Sequence, residues 1–337
     1  MKAKRSNPTM KDVAREAGVA LGTVSKVMNN IPVGEEYRIK VEEAAKKLGY
    51  QVNSYAKGLK TNHTGIVALI IPSVRHPFFG LLTDYICQVL MTRGMRTLLA
   101  TTESDMEMEN KCIRLAQQHK VEGIIALTYN PNIEMDEDVP FVSIDRFYTN
   151  RVPCVAADNY GGGQLAAEKL VELGAKKLLF LRIGSSVIGE PDKREAGFES
   201  WCQLNKVPYH VIHLNDEDGF APFYEFLKEN IKEGRPEYDG IFCSTDQLAV
   251  NIVKALEKME LTVPEDVQII GFDGLLNYID YTPYCSSIVQ PVEKMAETAV
   301  DILLSEDRSK LPALTCLPVT YRPGGTTRDK EKEEEEA

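Results

Sequence analysis

Residues 9–30 read TMKDVAREAGVALGTVSKVMNN, and their spacing orders the reading of the rest of the chain. Thr9 stands ahead of a run in which Val13, Ala14 and Ala17 recur at helical intervals. Asp12, three residues on, completes a short capping box. Gly18 fits a C-cap or tight turn. A second run begins within three residues, with Val24, Val27 and Met28 on one face and Thr23, Ser25 and Lys26 between them. Two short helices joined by a glycine-containing turn form the helix-turn-helix pattern. A third helix is expected over EEYRIKVEEAAKKLGY, residues 35–50, with Ile39, Ala44, Ala45 and Leu48 spaced for burial and Gly49 as its stop. Such a three-helix unit is too small to be much more than a docking module, and it leaves one helix face free to touch something.

Charge indicates what that face meets. The 337-residue chain carries a net charge of −11, which alone argues against nucleic acid. Residues 1–63, however, hold 12 Lys/Arg and 6 Asp/Glu, whereas residues 64–337 hold 27 and 44. A positive head on an acidic body points to a polyanionic partner.

Other classes are disfavoured. No run of 18 apolar residues exists, so no membrane span is expected. No apolar stretch follows the basic N-terminus, so export is not expected and the cytoplasm is the anticipated location. Seven cysteines run from Cys87 to Cys316 without a C-x-x-C pair, which argues for reduced thiols rather than disulfides or a zinc site. His210 and His213, the one close histidine pair, fall in an expected strand, where an i, i+3 pair points to opposite faces. No metal site and no cofactor are expected. YGGG at 160–163 lacks the G-x-G-x-x-G spacing, no Walker motif is present, and no nucleophile–base arrangement is legible, so catalysis is not expected.

The linker QVNSYAKGLKTNHT, residues 51–64, is polar, with Ala56 and Leu59 three apart. It reads as one or two helical turns, marginal alone because Gly58 lowers helix propensity by about 1 kcal/mol relative to Ala. From Gly65 the pattern alternates between strands and helices: GIVALIIP, PFFGLLTDYICQVLMTRG, RTLLATT, DMEMENKCIRLAQQH, EGIIAL, PFVSID, then NYGGGQLAAEKLVELG, KKLLFLRI, KREAGFESWCQL, YHVIHL, APFYEFLKENI, DGIFCS, DQLAVNIVKALEKM and VQIIGFD. This is the signature of doubly wound parallel sheets. The units are too many for one sheet, so two α/β halves with a cleft between them are expected, crossing over near Ala157. The acidic tail RDKEKEEEEA reads as solvated chain and has no leucine heptads.

At this point a family resemblance emerges. Residues 9–30, KVEEAAKKLGYQVNSYAKGLKT (40–61) and TGIVALIIPSVRHPFF (64–79), followed by SIDR, VAADNYGGG, REAGF, FCSTDQLAV, VPEDVQIIGFDG and SSIVQPVEKM, resemble the LacI/GalR family of bacterial transcriptional regulators, in that family's order and over residues 9–323. The resemblance implies a three-helix helix-turn-helix head plus a hinge helix, followed by a two-lobed α/β domain of the type I periplasmic-binding-protein kind with parallel sheets. It implies a head over 1–52, a hinge over 53–63 and an effector-binding and dimerisation domain over 64–323. That domain would have a first lobe at 64–157 plus 290–323 and a second at 158–289, with a disordered acidic tail over 324–337.

The same resemblance implies function. The second helix would enter the major groove of a pseudo-palindromic operator, with Leu21, Gly22 and Lys26 at base edges and Thr23 and Ser25 on phosphates. Ala20 stands where a capping serine is usual, which loses a cap worth about 1 kcal/mol. Leu59 would wedge into the minor groove beside Asn53, Ala56 and Lys57. The interlobe cleft would bind a small effector, expected to be a sugar, through Phe78, Phe79, Asp145, Arg146, Arg194, Phe220, Asp246, Asp273 and Gln290. Thr245 and Gly274 depart from a frequent asparagine and a frequent second aspartate, so a familiar sugar is not assumed. A homodimer would double the small reading surface of one head. The expectation is a ligand-responsive, sequence-specific regulator, and a repressor. The alternative is a solute-binding protein of the same fold without DNA regulation.

Overall fold

The computed structural model describes residues 8–51, 63–128, 130–136, 138–147, 152–185, 187–274 and 284–328. It divides into two units, the first ending at Thr64 and the second beginning at Gly65.

The first unit contains helices α1 (Met10–Ala17), α2 (Leu21–Met28) and α3 (Glu35–Leu48). Thr9 caps α1: its hydroxyl and backbone N–H both donate to Asp12 Oδ2, at 2.7 and 2.9 Å. Gly18 ends α1 at φ +65°, a left-handed turn that glycine adopts without steric cost. Val13, Val24 and Val41, one from each helix, are fully buried together, with Ala14, Val27, Ala44 and Ala45 around them. Ile39, expected inside, is 46% exposed. It stands two residues, roughly 200° of helix, before Val41, and Val41 occupies the inward stripe with Ala44, Ala45 and Leu48.

The second unit starts with β1 (Ile66–Ile71), α4 (Pro77–Thr92), β2 (Arg96–Thr101), α5 (Met106–Gln118), β3 (Gly123–Ala126), β4 (Phe141–Ile144) and β5 (Cys154–Ala157). It continues with α6 (Asn159–Glu172), β6 (Leu178–Gly184), α7 (Lys193–Asn205), β7 (Tyr209–Asn215), α8 (Ala221–Glu229) and a short hairpin, β8 (Ile231–Lys232) with β9 (Arg235–Pro236). Then come β10 (Gly240–Cys243), α9 (Asp246–Glu257), β11 (Gln268–Asp273), β12 (Ser286–Val289), α10 (Val292–Leu303), β13 (Leu314–Leu317) and β14 (Thr320–Arg322). The strands form two sheets, ordered β13-β5-β4-β3-β1-β2 and β14-β12-β11-β10-β6-β7. Neighbours run parallel except β12 and β14. Each sheet is covered on both faces. In the first lobe, α4 and α10 bury Leu82, Ile86, Met295 and Ala299 on one side, and α5 buries Ile113 and Ala116 on the other.

The chain passes between lobes three times, after β5, after β12 and after β13. The third passage corrects the expected first-lobe span of 290–323: β14 pairs antiparallel with β12 in the second sheet, so the first lobe gives up the chain after Leu317. Residues 324–328, expected to open the tail, pack against the second lobe instead. Thr326 accepts from Ile269 N at 2.8 Å and Arg328 N donates to Gln268 Oε1 at 3.0 Å, which stitches Gly324–Arg328 onto the second lobe.

The NYGGG segment serves packing. A Cβ at Gly163 would overlap the Arg194 carbonyl, and one at Gly197 would overlap the Tyr160 carbonyl. The two glycines let α6 and α7 cross backbone to backbone, which fixes the start of α7 and the arginine it carries.

Candidate ligand cleft and DNA-facing helix

In open α/β sheets, ligands bind beyond the carboxyl ends of the strands, where helix N-termini and strand-end side chains converge. Here the two sheets direct those ends at a common cleft of about 320 Å³. The first lobe contributes Ser73 after β1, His76, Phe78 and Phe79 at the start of α4, and Asp145 and Arg146 after β4. The second contributes Arg182 from β6, Arg194 from the first turn of α7, Ser244 and Thr245 before α9, and Asp273 from the end of β11. Gln290, on the passage after β12, lies in the wall.

Arg194 is the centre. It is 5% exposed and donates from Nε to Asn159 Oδ1 at 2.7 Å and from Nη1 to the Ser244 carbonyl at 2.6 Å. Its guanidinium lies 3.6 Å from the centroid of the Phe272 ring, and Nη1 is 3.7 Å from Asp273 Oδ1. Asp273 Oδ1 also accepts from Gln290 Nε2 at 2.7 Å. Arg146 donates to the Val187 carbonyl, and Glu190 N donates to the Asp145 carbonyl at 3.0 Å, so two bonds from the end of β4 reach the second lobe. Arg182 pairs with Asp192 at 2.8 Å and also meets His213 and the Ser185 carbonyl.

The carboxylates are strained and desolvated. Asp145 and Asp273 have φ of +54° and +114°, unusual for non-glycine residues and concentrated at functional sites. Burial raises Asp145 to about 6 against the pull of Arg194 and Arg146. Burial raises Asp273 to about 8, again opposed by Arg194, with Asp246 adding to the rise and Gln290 resisting it. Arg194 is itself shifted down by burial, opposed by Asp273 and Asp145. Burial, then Arg194, lowers His76. Five polar atoms of this wall are buried without a hydrogen-bond partner among the described residues: His76 Nδ1, Asp145 Oδ1, Ser244 Oγ, Asp273 Oδ2 and Gln290 Oε1. Buried polar groups are nearly always satisfied, so five without a partner among the described residues single this wall out from the rest of the body.

Seven of the nine ligand residues expected from sequence, namely Phe78, Phe79, Asp145, Arg146, Arg194, Asp273 and Gln290, line this one cleft. Two do not. Asp246 is 2% exposed and accepts from Ser287 Oγ at 2.6 Å, which turns it into the lobe behind the wall. The cap of α9 is Thr245, whose hydroxyl accepts from Leu248 N at 3.2 Å. Phe220 lies beyond the Gly219 turn at φ +66° and packs edge-on against Phe223 at 6.0 Å in the second-lobe core. It lines a separate groove with Tyr224 and Lys254. Gly274 has φ +75°, and a Cβ there would overlap Val289, so this backbone leaves no room for an aspartate.

The sequence reading also missed four residues. His76 precedes the first helix of the body, and its ring lies 4.8 Å from that of Phe79. Its place directly before Pro77, at a helix start, was the available signal. Arg182, Ser244 and Asn159 carried none, because each reads as part of a strand end or a helix start.

On the head, Leu21, Gly22 and Lys26 are exposed on one face of α2, Thr23 and Ser25 are half-buried beside them, and Val24 and Val27 face the core. Ala20 occupies the N-cap and makes no side-chain bond. The expected hinge residues Asn53, Ala56, Lys57 and Leu59 lie outside the described residues. Among the described residues no helix is long and apolar enough to cross a membrane, and no cluster of His, Cys, Asp and Glu is arranged to hold a metal ion.

Comparison with known proteins agrees with both halves. Residues 9–53 match the family described as bacterial regulatory proteins, lacI family, and residues 167–327 match the periplasmic binding protein-like domain. The sucrose operon repressor of Pediococcus pentosaceus is 31% identical over 95% of this chain and 99% of its own. The ribose operon repressor of Halalkalibacterium halodurans is 31% identical over 90% and 91%. Among solved structures, the lac repressor dimer bound to operator and the anti-inducer ONPF superposes with a TM-score of 0.80 at 23% identity, covering 96% of this chain and all of that one. A periplasmic binding protein/LacI transcriptional regulator from Alkaliphilus metalliredigens, complexed with D-xylulofuranose, superposes at 0.68 with 26% identity over 79% of this chain and 100% of that chain. The helix-turn-helix head, the two-lobed body and these relatives together assign the chain to the lacI family of bacterial regulatory proteins, as a ligand-responsive transcription repressor.

Proposed function

We propose that this repressor acts in the cytoplasm as a homodimer on a pseudo-palindromic operator, with its DNA affinity set by a sugar in the interlobe cleft. Leu21, Gly22 and Lys26 read base edges, Thr23 and Ser25 meet phosphates, and Asn53, Ala56, Lys57 and Leu59 form the segment that orders in the minor groove. The interlobe cleft, where Phe78 and Phe79 meet Asp145, Arg146, Arg194 and Asp273, carries the sugar reading. It is supported by relatives named as sucrose and ribose operon repressors. The dimer reading is supported by exposed apolar side chains on three consecutive elements at one edge of the first sheet: Met91 on α4, Leu98 and Leu99 on edge strand β2, and Met106, Met108 and Leu115 on α5. The chain is a binder, with no catalytic role for the cleft.

The test has two parts. Thermal unfolding of the full chain is followed against sugars, sugar phosphates, nucleosides and purines, where a ligand at 100 times its Kd adds about 2.7 kcal/mol. Operator sites are then selected from random DNA and their affinity is measured with and without each hit. A sugar that both stabilises the protein and changes operator affinity bears the reading out. A sugar that binds without changing DNA affinity refutes the coupling.

A further inference from the structure

An exposed histidine on the edge of the second sheet reaches one of the arginines of the cleft. Arg182 on β6 and His213 on β7 are cross-strand partners. Arg182 is buried and lines the cleft, whereas the His213 side chain keeps 38% of its surface exposed. Arg182 Nη1 contacts His213 Nε2 and lies 3.2 Å from Nδ1, and His213 Nδ1 faces Glu195 Oε2 on α7 at 3.6 Å. A guanidinium only donates, so Nε2 must accept, and the proton of the neutral ring belongs on Nδ1, toward Glu195. Arg182 Nη2 pairs with Asp192 Oδ1 at 2.8 Å, and Asp192 Oδ2 accepts from Gly189 N at 2.6 Å. The same turn carries Glu190 N, which donates to the Asp145 carbonyl of the first lobe, and follows Val187, whose carbonyl accepts from Arg146. A short chain of contacts therefore runs from a solvent-facing imidazole to the bonds between the lobes.

We propose that His213 is a positioning residue for effector binding: its neutral ring holds Arg182 and the Gly189–Asp192 turn in place, and its protonation in acid weakens the effector. The proposal rests on the reading of this cleft as a sugar site. A protonated His213 loses the lone pair that accepts from Arg182 and sets a second cation against a buried guanidinium. Arg182 then has to shift, and Asp192 and the turn that it holds shift with it. The charged groups around the ring are Arg182 on β6, Asp192 on the turn, and Glu195 with its neighbour Glu199 on α7. Burial and then Arg182 hold His213 below its ordinary value, and Asp192 opposes them. Because the ring is exposed, solvent protons reach it without entering the cleft. His210, three residues earlier, takes no part: it stacks on Phe226 at 5.3 Å, on the opposite face of the strand.

The experiment is calorimetric titration of the full chain with D-ribose, D-fructose, D-glucose and sucrose at about pH 7.5 and about pH 5.5, on either side of the ordinary histidine value of about 6.5. The parent is compared with His213→Gln, which keeps a neutral acceptor at both pH values, and with His213→Lys, which keeps a cation there. Asp145, at about 6, and Asp273, at about 8, also titrate in the cleft, so the ratio of parent to glutamine-variant affinity carries the test. That ratio should fall about tenfold between the higher and the lower pH, and the lysine variant should bind about tenfold weaker than the parent at about pH 7.5. Nitrogen-15 spectra of the imidazoles, with His213 identified by its loss in the variants, should show a neutral ring protonated on Nδ1 at about pH 7.5. A flat ratio, a lysine variant that binds like the parent, or a ring protonated on Nε2 overturns the proposal. If none of the four sugars binds while a selected operator is still bound, the sugar reading of the cleft fails and this inference falls with it. A ring protonated on Nδ1 would then place the fault in the sugar and not in the contact between His213 and Arg182.

Discussion

Gln290 Nε2 donates to Asp273 Oδ1 at 2.7 Å, and this bond joins the passage between lobes to the end of β11. Asp273 has the most extreme positive φ among the non-glycine residues described, and its other oxygen is buried without a partner among the described residues. One residue therefore contacts the ligand wall, the interlobe passage and Arg194 together. A ligand that engages Asp273 acts directly on the segment about which the lobes would move.

Replacing Gln290 with Ala leaves Asp273 Oδ1 with only the more distant Arg194. The expected cost is about 1–3 kcal/mol, the range for a buried acceptor that loses its donor. Urea unfolding of the body measures this, and an unchanged midpoint would mean that the bond contributes nothing.

Asp145 and Asp273 both bind their protons more tightly folded than unfolded. Between about pH 4 and their raised values, near 6 and 8, the native state holds more protons, so stability falls as pH rises through that window. Asp273→Asn removes the larger part of the effect. At pH 8 this variant should be more stable than the parent by about 1–3 kcal/mol, and at pH 4 the two should match. Denaturant titrations at both pH values check the sign, and a variant less stable at pH 8 would reverse the argument.

Arg194→Ala strands Asp273, Asn159 and the Ser244 carbonyl in the interior and should cost about 3–5 kcal/mol. Arg194→Lys should recover little, because an ammonium cannot reproduce the planar fork that reaches Asn159 and Ser244 or the stacking on Phe272. Equal stability of the lysine variant and the parent would show that only the charge matters.

Gly163→Ala and Gly197→Ala each drive a methyl group into a backbone carbonyl of the facing helix. Overpacking of this kind costs about 1–3 kcal/mol or more. Because Arg194 lies in the first turn of α7, ligand affinity should fall together with stability, which melts recorded with and without the sugar would reveal.

Ala20→Ser restores a side-chain cap at the start of α2 and should stabilise the head by about 1 kcal/mol. Thr9→Ala, which breaks the capping box of α1, should destabilise it by a similar amount. Amide exchange in the head reports both, and operator affinity should follow the same order.

The legibility of the chain varied with the kind of signal. Helix periodicity and the glycine stop at Gly18 fixed the head closely, because those interactions lie within four residues of each other. The one inward residue misread there, Ile39, shows the limit: an apolar side chain two residues off the stripe looks the same in sequence as one on it. The alternation of strands and helices conveyed the two α/β lobes. The third interlobe passage was not legible, because the antiparallel pairing of β14 with β12 depends on residues more than 30 positions apart.

The sequence by itself determined the helix-turn-helix head, the parallel architecture of the body and most of the residues that meet at the cleft, since local periodicity and ordered motifs record them. Only the tertiary structure decided which of those residues face the ligand wall. Asp246 and Phe220 turn away because Ser287 and the second-lobe core offer them better partners. His76, Arg182 and Ser244 face the cleft because strand ends and a helix start deliver them there. Direction relative to a distant neighbour is set by packing across the whole lobe, and no local pattern encodes it.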